Sequence, residues 1–475
     1  MNAFSVSSII KKHKVLVWLS CIVLFGFIIR VSHIRNAEIN RKVPQPDALQ
    51  YVNYGYNLAH FNTFSSESGT DNPTPDSYRS PGYPFIIASV MKLFPPNRWH
   101  KTVLYIHVIV STLTVILTFY IGCFFMPKWA SLLAAGLTAF SPHLISLTFY
   151  MLTETLFAFM LCAAFLAFFS AMRTGKTWLY ILSALLFGYS YLVNEVIVFF
   201  PLTAAVLLCI EKWNAAGENR KSLIKQVILF TLLFLIFPVT WTIRNTVSIP
   251  EEGKTGKSRA LATLTHGTYP GFIFKNPANK YYAYRDDPEQ PAYHESFSSF
   301  IRIFWKRFSR RPFRYISWYL FEKPYYLWSW NILQGQGDVY IYYVSKSVYT
   351  ESPPASFTKY IMRFLHPLLV LIAMCGTGMF TWNTVQKKEM LESGKPYMLF
   401  ICLIYSTAIY SLFACWPRYS IPFRPELYIC AVWSSILLWN MIKKRYFTEQ
   451  AEEKNKIATP TSSGAGAFGR EDRGG

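Results

Sequence analysis

Long apolar stretches that carry almost no charge are the feature that most restricts how this chain can fold. They recur through most of its 475 residues. A helix needs about 20 apolar residues to cross the hydrocarbon of a bilayer, where every backbone polar group must be satisfied within the protein. Only 15% of the residues are charged, whereas soluble domains carry roughly 25%. The sequence therefore predicts an all-α, polytopic membrane protein.

Ten segments are candidate transmembrane helices, and the third, fifth and sixth of them are short for a full crossing. The first follows a basic flank, and no small-residue cleavage site comes after it. We therefore expect a retained span rather than a cleaved signal peptide. The ten cover approximately residues 14–32, 103–126, 129–146, 150–172, 177–193, 195–211, 224–243, 360–382, 396–416 and 425–442.

Basic residues in the short connections predict the orientation of these spans. In short loops, lysine and arginine mark the cytoplasmic side of a membrane. With ten spans all the basic connections fall on one face, so both termini are expected in the cytoplasm. Two long loops, residues 32–102 and 244–358, then lie on the non-cytoplasmic face. The basic residues are Lys11, Lys12, Lys14, Lys128, Arg173, Lys176, Lys212, Arg220, Lys221, Lys225, Lys387, Lys388, Lys395, Lys443, Lys444 and Arg445.

The second long loop contains an aromatic and basic segment. Residues 300–320 read FIRIFWKRFSRRPFRYISWYL, and Pro312 divides the run. This composition is typical of a helix that lies on a membrane surface and contacts lipid phosphates, with an ordinary solvated basic helix as the alternative. After Arg445 the sequence becomes charged and then rich in small polar residues, so residues 446–475 are predicted to form a disordered cytoplasmic tail.

The net charge of +21 does not indicate nucleic-acid binding. The basic residues lie between apolar spans and no nucleic-acid-binding fold signature is present, so anionic lipid headgroups are the expected counter-charge. All eight cysteines fall in or beside apolar spans without the spacing of metal ligands. We interpret them as small core residues rather than as a disulfide framework or a zinc site.

A few ionisable residues share one predicted membrane depth on the non-cytoplasmic side. Asp47 and Arg79 lie in the first long loop, and Glu154 lies at the outer end of the fourth span. Glu195 lies in the outer hairpin between the fifth and sixth spans. Arg244 ends the seventh span, and Arg418 precedes the tenth. Ionisable groups at the edge of the hydrocarbon are costly and usually face a cavity.

Each of these residues also has a simpler structural explanation. Asp47 could cap the N-terminus of a helix, and Glu154 could stabilise another helix N-terminus. Glu195 could cap the hairpin between the fifth and sixth spans. Arg244 and Arg418 could extend towards lipid headgroups.

Taken together, the residue types suit glycosyl transfer from a lipid phosphate. A carboxylate can take the proton of a hydroxyl acceptor that attacks an anomeric carbon. Arginines can hold the departing phosphate through charge-assisted hydrogen bonds. Two carboxylates that share a divalent cation could do the same work, and this alternative stays open.

The order and sidedness of five motifs resemble the GT-C membrane glycosyltransferases, in particular the branch of protein O-mannosyltransferases, aminoarabinose transferases and related bacterial enzymes. The resemblance covers residues 10–445. The matching motifs are Asp47 after the first span, the Arg-Ser-Pro-Gly-Tyr-Pro run at Arg79–Pro84, the Tyr-to-Glu segment at Tyr150–Glu154, the Pro-to-Arg-Asn run at Pro238–Asn245 and the Arg-Tyr-to-Pro run at Arg418–Pro425.

The resemblance implies a polyprenyl-phosphate-linked sugar as donor and transfer on the non-cytoplasmic face. It implies that Asp47 is catalytic, as a base or a metal ligand, with Glu154 beside it. Arg79, Arg244 and Arg418 are expected to bind the donor phosphate. The expected substrate pocket contains Tyr51, Tyr83, Tyr150 and Tyr419, and the residues considered for a cation are Asp47, Glu154 and His266.

Two positions depart from the family pattern. Glu154 stands where the family often has an aspartate. Val193-Asn194-Glu195 stands where a basic residue next to proline is common, so a donor-phosphate contact must come from elsewhere, with Arg79 and Arg418 as candidates.

The resulting prediction is a multi-pass glycosyltransferase of a bacterial inner membrane. Its expected partners are a polyprenyl-phosphate sugar, an envelope lipid, glycan or protein as acceptor, and membrane lipids, but no nucleic acid. One alternative is an O-antigen polymerase or ligase, which would depend on basic and histidine residues in a late outer loop. Another is a transporter or flippase of lipid-linked sugars, which would carry charges at mid-bilayer and broken helices in paired halves. Neither the sugar nor the acceptor follows from the sequence.

Overall fold

The computed structural model describes residues 3–39, 45–215, 220–275, 282–387 and 396–458. Within them, nearly all regular structure is helical. The α-helices are α1 (Ala3–Asn36), α2 (Pro46–His60), α3 (Gly82–Leu93), α4 (Trp99–Gly122), α5 (Lys128–Ala139), α6 (Pro142–Ser146), α7 (Glu154–Thr174), α8 (Thr177–Val193), α9 (Phe200–Ala215), α10 (Arg220–Val247), α11 (Gly256–Gly267), α12 (Gln290–Glu295), α13 (Phe297–Arg310), α14 (Pro312–Ser317), α15 (Lys323–Leu327), α16 (Val348–Glu351), α17 (Pro353–Lys387), α18 (Tyr397–Leu412) and α19 (Arg424–Ala458).

Apolar helices account for all the predicted spans, but their lengths differ. Among the described residues, six helices are long and apolar enough to cross a membrane, or seven if the bent pair formed by α5 and α6 counts as one span. The pair bends by 47° at the break between Ala139 and Pro142, and Pro142 is the first residue of α6. The fifth, sixth and ninth predicted spans correspond to shorter apolar helices. The all-α polytopic fold is therefore confirmed, while the count of ten and the orientation stay predictions.

Helix α7 forms the centre of the bundle because it is apolar on all sides. Phe157, Phe165 and Phe168 are fully buried, and the helix packs against α4 and α8. A helix that is hydrophobic all round belongs in the interior of a protein. Its first residue, Glu154, is buried at one end of this central helix.

A buried arginine fastens α1 to the rest of the bundle. Arg30 has no exposed surface. Its Nε donates to the hydroxyl of Ser111 on α4 at 2.8 Å, and its Nη1 donates to the carbonyl of Ala139 at the end of α5 at 2.8 Å. Two further backbone carbonyls, of Gly26 and Thr138, accept hydrogen bonds from the same guanidinium. Because a buried charge must be hydrogen-bonded to be tolerated, these contacts fix the depth of α1 against α4 and α5.

The two long loops bind each other. Strand β1 (Glu38–Ile39) pairs antiparallel with β2 (Val344–Lys346), so that Glu38 faces Lys346 and Ile39 faces Val344. Elsewhere, the amide of Ser77 donates to the carbonyl of Gly253 at 3.0 Å. The amide of Gly256, the first residue of α11, donates to the Ser77 hydroxyl at 3.0 Å. The second loop therefore docks on the first loop next to Arg79.

The aromatic and basic segment of the second loop is helical and broken at Pro312, as its sequence predicts. Helix α13 ends at Arg310 and α14 begins at Pro312. Phe300 is buried, whereas Phe313 is 85% exposed. Its position at a membrane surface stays a prediction.

The chain remains helical beyond the predicted start of the cytoplasmic tail. Helix α19 continues past Arg445 to Ala458. Residues 459–475, which make up the rest of the predicted tail, lie outside the described residues. So do Lys388 and Lys395 of the eighth connection.

Candidate active site

A cavity of about 310 Å³ lies where the two long loops meet one end of the helix bundle. Small-molecule sites usually occupy about 300–1,000 Å³. The walls come from α2, α7, α11 and α18, from the hairpin between α8 and α9, and from a 3₁₀ turn at Pro417–Phe423. Its charged lining residues are Asp47, Arg79, Glu154, Glu195, Arg259 and Arg418.

Asp47 is held between two arginines in this cavity. Its Oδ1 accepts a hydrogen bond from Arg79 Nη2 at 2.7 Å, and its Oδ2 accepts one from Arg418 Nη2. Asp47 lies within the first turn of α2, after Pro46, and Gln45 occupies the N-cap position. The side chain therefore pairs with arginines from distant parts of the chain and does not cap its own helix.

Helix α2 also positions Arg79. Both Nε and Nη2 of Arg79 donate to Gln50 Oε1, at 3.0 and 2.6 Å. The Arg79 guanidinium lies 5.0 Å from the ring centre of Tyr51, at cation–π distance. Residues three and four positions apart share one face of a helix, so α2 presents Asp47, Gln50 and Tyr51 to the same arginine.

The arginines determine the charge state of Asp47. Burial by itself would raise the pKa of this carboxyl. Arg418 and Arg79 act in the opposite direction through charge and hydrogen bonds, and they hold the pKa of Asp47 well below its usual range. Asp47 is therefore ionised at every physiological pH.

Glu154 lies on the other side of Arg418. Its Oε1 is 3.9 Å from Arg418 Nε, which is an ion-pair distance but too long for a hydrogen bond. Glu154 is 6% exposed and Arg418 is 7% exposed. Among the described residues, Arg418 Nε and Nη1 have no hydrogen-bond partner. A buried guanidinium with two unused N–H groups beside a cavity is suited to bind an anion.

A second ion pair in the cavity was not predicted as part of the site, because Glu195 was interpreted as a hairpin cap and Arg259 was not considered. Glu195 accepts a hydrogen bond from the Ser80 hydroxyl at 2.7 Å and another from Arg259 Nη2 at 2.5 Å. The departure from the family pattern at Val193-Asn194-Glu195 was a signal for Glu195. Arg259 had no such signal, since only the folding of α11 onto Ser77 brings it to the cavity.

Of the four predicted pocket tyrosines, two line the cavity. Tyr51 and Tyr419 are in its wall. Tyr83 is buried beside it, where its hydroxyl lies 3.1 Å from His107 Nε2. Tyr150 is buried with its ring edge-to-face against Tyr342.

Arg244 and His266 do not line the cavity. Arg244 Nη1 donates to the carbonyl of Asp76 at 2.6 Å, so this guanidinium supports the backbone of the first long loop. His266 stacks on Tyr284 with ring centres 3.8 Å apart, and burial lowers its pKa to about 4.

The groups around Asp47 do not suit a divalent cation. Both of its carboxylate oxygens already accept hydrogen bonds from arginines, whose positive charge would repel a metal ion. In the part of the chain that the structure describes, no three His, Cys, Asp or Glu side chains lie close enough to hold one. The cation considered from the sequence stays a prediction.

Residues 77–241 match the family described as dolichyl-phosphate-mannose-protein mannosyltransferase. The matched segment begins two residues before Arg79 and contains Glu154 and Glu195. No curated protein sequence matches the chain.

Two solved structures are similar in outline. One is the archaeal oligosaccharyltransferase AglB from Archaeoglobus fulgidus, in complex with an inhibitory peptide and a dolichol-phosphate, at 13% identity and a TM-score of 0.49. The other is ArnT from Cupriavidus metallidurans bound to undecaprenyl phosphate, at 12% identity and a TM-score of 0.43. The alignments cover 93% and 89% of this chain but only 52% and 60% of those chains.

Proposed function

We propose that the chain is a membrane glycosyltransferase that transfers a sugar from a polyprenyl-phosphate-linked donor to an envelope acceptor on the non-cytoplasmic face. The match of residues 77–241 to the dolichyl-phosphate-mannose-protein mannosyltransferase family supports this proposal. The observation that supports this most directly is the Asp47 carboxylate between Arg79 and Arg418 in a cavity at one end of the bundle. This arrangement combines a proton acceptor with cations that can hold a phosphate.

The transfer step uses these groups in defined roles. The acceptor hydroxyl attacks the anomeric carbon of the donor sugar and gives its proton to Asp47. The bond between the anomeric carbon and the phosphate oxygen breaks as the new glycosidic bond forms. The polyprenyl phosphate leaves with the bonding electrons, and Arg418 and Arg79 stabilise its negative charge.

Donor binding also explains how Asp47 becomes a useful base. A carboxylate paired with two guanidinium groups is a weak base, since its pKa lies far below the working pH. A phosphate that enters the cavity competes for the same N–H groups. As the arginines turn towards the phosphate, the pKa of Asp47 rises and the carboxylate can accept a proton.

Arg418 can bind the incoming phosphate while it still donates a hydrogen bond to Asp47. Its Nη2 is bonded to Asp47, while Nε and Nη1 have no partner among the described residues. Arg259 is a second candidate contact, because it lines the cavity and its Nε also has no partner there. Arg244 does not bind the phosphate in this scheme, because it donates to backbone carbonyls outside the cavity.

Glu154 is proposed to position the reactants. It is buried at the N-terminus of α7 and lies close to Arg418 without a direct hydrogen bond. Its only hydrogen bond from a side chain in the described residues is a long one, 3.5 Å from the Thr153 hydroxyl. The carboxylate can therefore accept a hydrogen bond from a sugar hydroxyl while it keeps the Arg418 guanidinium oriented.

The test replaces Asp47 with asparagine. Asp47→Asn keeps the shape of the side chain but removes the proton acceptor, and we expect sugar transfer to fall by about 10²–10⁴-fold. The measurement is mass spectrometry of envelope lipids, glycans and proteins from cells that express either form, together with release of polyprenyl phosphate by the purified proteins in vesicles.

Asp71→Asn is the matched control, because Asp71 is an exposed acid in the same loop and does not line the cavity. It is expected to keep full activity. Full transfer by Asp47→Asn would remove Asp47 from the mechanism.

A further inference from the structure

A buried lysine lies at the end of α18 and has no part in the transfer step described above. Lys323, the first residue of α15, has no exposed surface. Its Nζ donates to the carbonyl of Ser411 at 2.6 Å and to the carbonyl of Phe413 at 3.0 Å. No carboxylate of the described residues pairs with it. Burying an amino group costs free energy unless it is hydrogen-bonded, so these two bonds account for how Lys323 can lie in the interior.

Lys323 matches the electron-rich groups around it. Ser411 and Phe413 stand at the C-terminal end of α18, where carbonyls lack a partner within the helix and carry partial negative charge. The ring centre of Tyr319 lies 4.0 Å from Nζ, at cation–π distance. Burial lowers the pKa of Lys323 to about 7. Both the ammonium and the neutral amine have the two N–H groups that the carbonyls need, so the two hydrogen bonds form in either charge state.

The carbonyl of Phe413 is also contacted by α11. Gly267, the last residue of α11, lies so close to it that a Cβ on Gly267 would be 2.3 Å from the Phe413 oxygen. The carbonyl of Gly267 in turn accepts a hydrogen bond from the Trp318 indole at 2.9 Å. Helices α11 and α18 both line the active-site cavity. Contacts with two other segments therefore fix the position of the Phe413 carbonyl.

The segment that follows Phe413 leads directly to Arg418, five positions later. The four residues between them are buried. The thiol of Cys415 donates to the backbone carbonyl of Lys323 at 3.3 Å. Lys323 therefore contacts this segment twice, through its side chain at Phe413 and through its backbone at Cys415.

The second half of the segment is packed as well. The ring of Trp416 lies edge-to-face against Phe272, with ring centres 5.1 Å apart. Pro417 begins the 3₁₀ turn that contains Arg418, and its own ring restricts its φ. The amide of Tyr419 donates to the carbonyl of Trp416 at 3.0 Å. Because a close-packed interior transmits displacements, a shift at Phe413 carries over to the Arg418 guanidinium.

The proposed role of Arg418 requires an accurate position. Its Nη2 donates to Asp47, and its Nε lies 3.9 Å from Glu154 Oε1. Its Nε and Nη1, which have no hydrogen-bond partner among the described residues, are the groups that would hold the phosphate. A displacement of about 1 Å in such a group can lower a reaction rate by about 10²-fold.

From these contacts we propose that Lys323 is a positioning residue, which holds the end of α18 so that Arg418 meets the donor phosphate. This inference rests on the proposed function and adds a residue that itself contacts no substrate. Without the two hydrogen bonds from Lys323, two carbonyls at the end of α18 lose their donor, and the segment shifts to find other partners. Arg418 then loses its alignment with the phosphate, while the apolar walls of the cavity are kept.

The first test separates phosphate binding from general packing. Lys323→Met keeps an unbranched side chain and removes the donor. Full-length wild type and variant are placed in nanodiscs, and equilibrium binding is measured for a fluorescent polyprenyl monophosphate and for the corresponding polyprenol, which lacks the phosphate. We expect the Kd of the monophosphate to rise about tenfold, which corresponds to ~1.4 kcal/mol, and the Kd of the polyprenol to stay unchanged. A purely structural role would weaken binding of both probes, and that result, or no change in either Kd, would overturn the proposal.

The matched control is Trp328→Phe. The Trp328 indole Nε1 donates to the Thr407 hydroxyl at 2.9 Å, so this variant also removes a donor that reaches α18 from the end of α15. Thr407 lies about one turn before Ser411, and neither Trp328 nor Thr407 lines the active-site cavity. We expect the Kd of both probes to be unchanged. Equal losses of monophosphate binding in Trp328→Phe and Lys323→Met would show that any weakened contact with α18 has this effect, and would contradict a specific role for Lys323.

The second test asks whether Lys323 acts through Arg418. Arg418→Gln removes the guanidinium and is expected to weaken monophosphate binding by itself. Losses at independent sites add, whereas losses at coupled sites do not. We therefore expect Lys323→Met to have little further effect on the Kd of the monophosphate when Arg418→Gln is present. Fully additive losses would overturn the proposal.

Gly267→Ala keeps the proposal testable if Lys323→Met does not fold. This variant leaves Lys323 in place and displaces the Phe413 carbonyl from the side of α11. The same pattern is expected, with weaker binding of the monophosphate and unchanged binding of the polyprenol. Equal effects on the two probes, or none, would contradict the link between Phe413 and Arg418.

The wild type distinguishes failure of this inference from failure of the proposed function. If it binds polyprenol as tightly as the monophosphate, the cavity does not recognise a phosphate, and the proposed function fails together with the role of Lys323. If the wild type and Lys323→Met prefer the monophosphate to the same extent, only the role of Lys323 is overturned.

Discussion

At the scale of single residues, the central feature is a carboxylate that two arginines keep ionised. Asp47, Glu154 and Arg418 could be selected from the sequence because ionisable residues next to long apolar runs are rare and costly. Their pairing could not be predicted, since Arg418 approaches Asp47 across 371 positions of the chain. Arg244 was selected for the same reason as Arg418, yet it binds loop carbonyls, because its side chain extends towards the first loop.

The ion pairs of Asp47 should make stability depend on pH. Its pKa is lower in the folded protein than the value of about 3.9 in an unfolded chain. The unfolded state therefore binds the proton more readily, and the stabilisation is present above pH ~4 and lost as the pH falls below it. We expect the free energy of unfolding of the wild type to exceed that of Asp47→Asn by roughly 2–3 kcal/mol at pH 7. This gap should stay constant down to about pH 5 and narrow at pH 3. Thermal unfolding of both proteins in nanodiscs at these pH values measures the gap, and a gap that widens in acid would contradict the assignment.

At the scale of helices and loops, periodicity and composition were sufficient to predict some elements but not others. The break of the basic segment at Pro312 could be predicted because proline lacks the amide that a continuing helix needs. The docking of α11 on Ser77 could not, since backbone hydrogen bonds between two loops leave no pattern in the sequence. A second cavity, of about 500 Å³ between α15, α17 and α18, could not be predicted either, since the apolar residues of its walls indicate only membrane-spanning helices.

Gly82, in the Arg-Ser-Pro-Gly-Tyr-Pro run, allows α3 to approach α8 closely. A Cβ at this position would lie 2.8 Å from the backbone carbon and oxygen of Leu192, which cannot rotate away. We expect Gly82→Ala to separate the helices, to weaken the hydrogen bond from the Tyr189 hydroxyl to the Gly82 carbonyl, and to lower stability by about 1–3 kcal/mol. Transfer should fall as well, because Arg79 lies three residues earlier.

The control for this substitution is Gly136→Ala in α5. Nothing lies within 4 Å of a Cβ added there, and alanine favours a helix over glycine by about 1 kcal/mol. Its melting temperature in nanodiscs should be unchanged or higher. Equal losses of stability in the two variants would show that the contact with Leu192 is not the cause.

At the scale of the whole molecule, the sequence was sufficient to predict the all-α, polytopic fold class. The family match at residues 77–241 agrees with the resemblance that the motifs indicated and covers two of the five motifs in full, Arg79–Pro84 and Tyr150–Glu154. The number of membrane crossings could not be predicted in the same way, because apolar composition alone does not show where a helix ends and whether it is long enough to cross the membrane. Helix α18 has 16 residues, fewer than the roughly 20 that a full crossing needs.

The face of the membrane on which each loop lies can be measured directly by cysteine labelling. Thr70 and Thr174 are both exposed, and the predicted topology places them on opposite faces of the membrane. In a variant whose eight native cysteines are replaced by serine, we expect a membrane-impermeant maleimide to label Thr70→Cys in intact spheroplasts. Thr174→Cys should react only after permeabilisation. Labelling of both positions in intact spheroplasts would contradict the predicted orientation.

The anchoring of Arg30 has a consequence for the biogenesis of the protein. The carbonyl of Ala139, which accepts one of its hydrogen bonds, is synthesised 109 residues later. At roughly 5–20 residues per second, the ribosome needs about 5–22 s to make that partner. Throughout this interval the guanidinium must be solvated by water or lipid headgroups, because an unpaired arginine is costly in hydrocarbon. The first helix can therefore complete these hydrogen bonds only after α4 and α5 have been made and lie beside it.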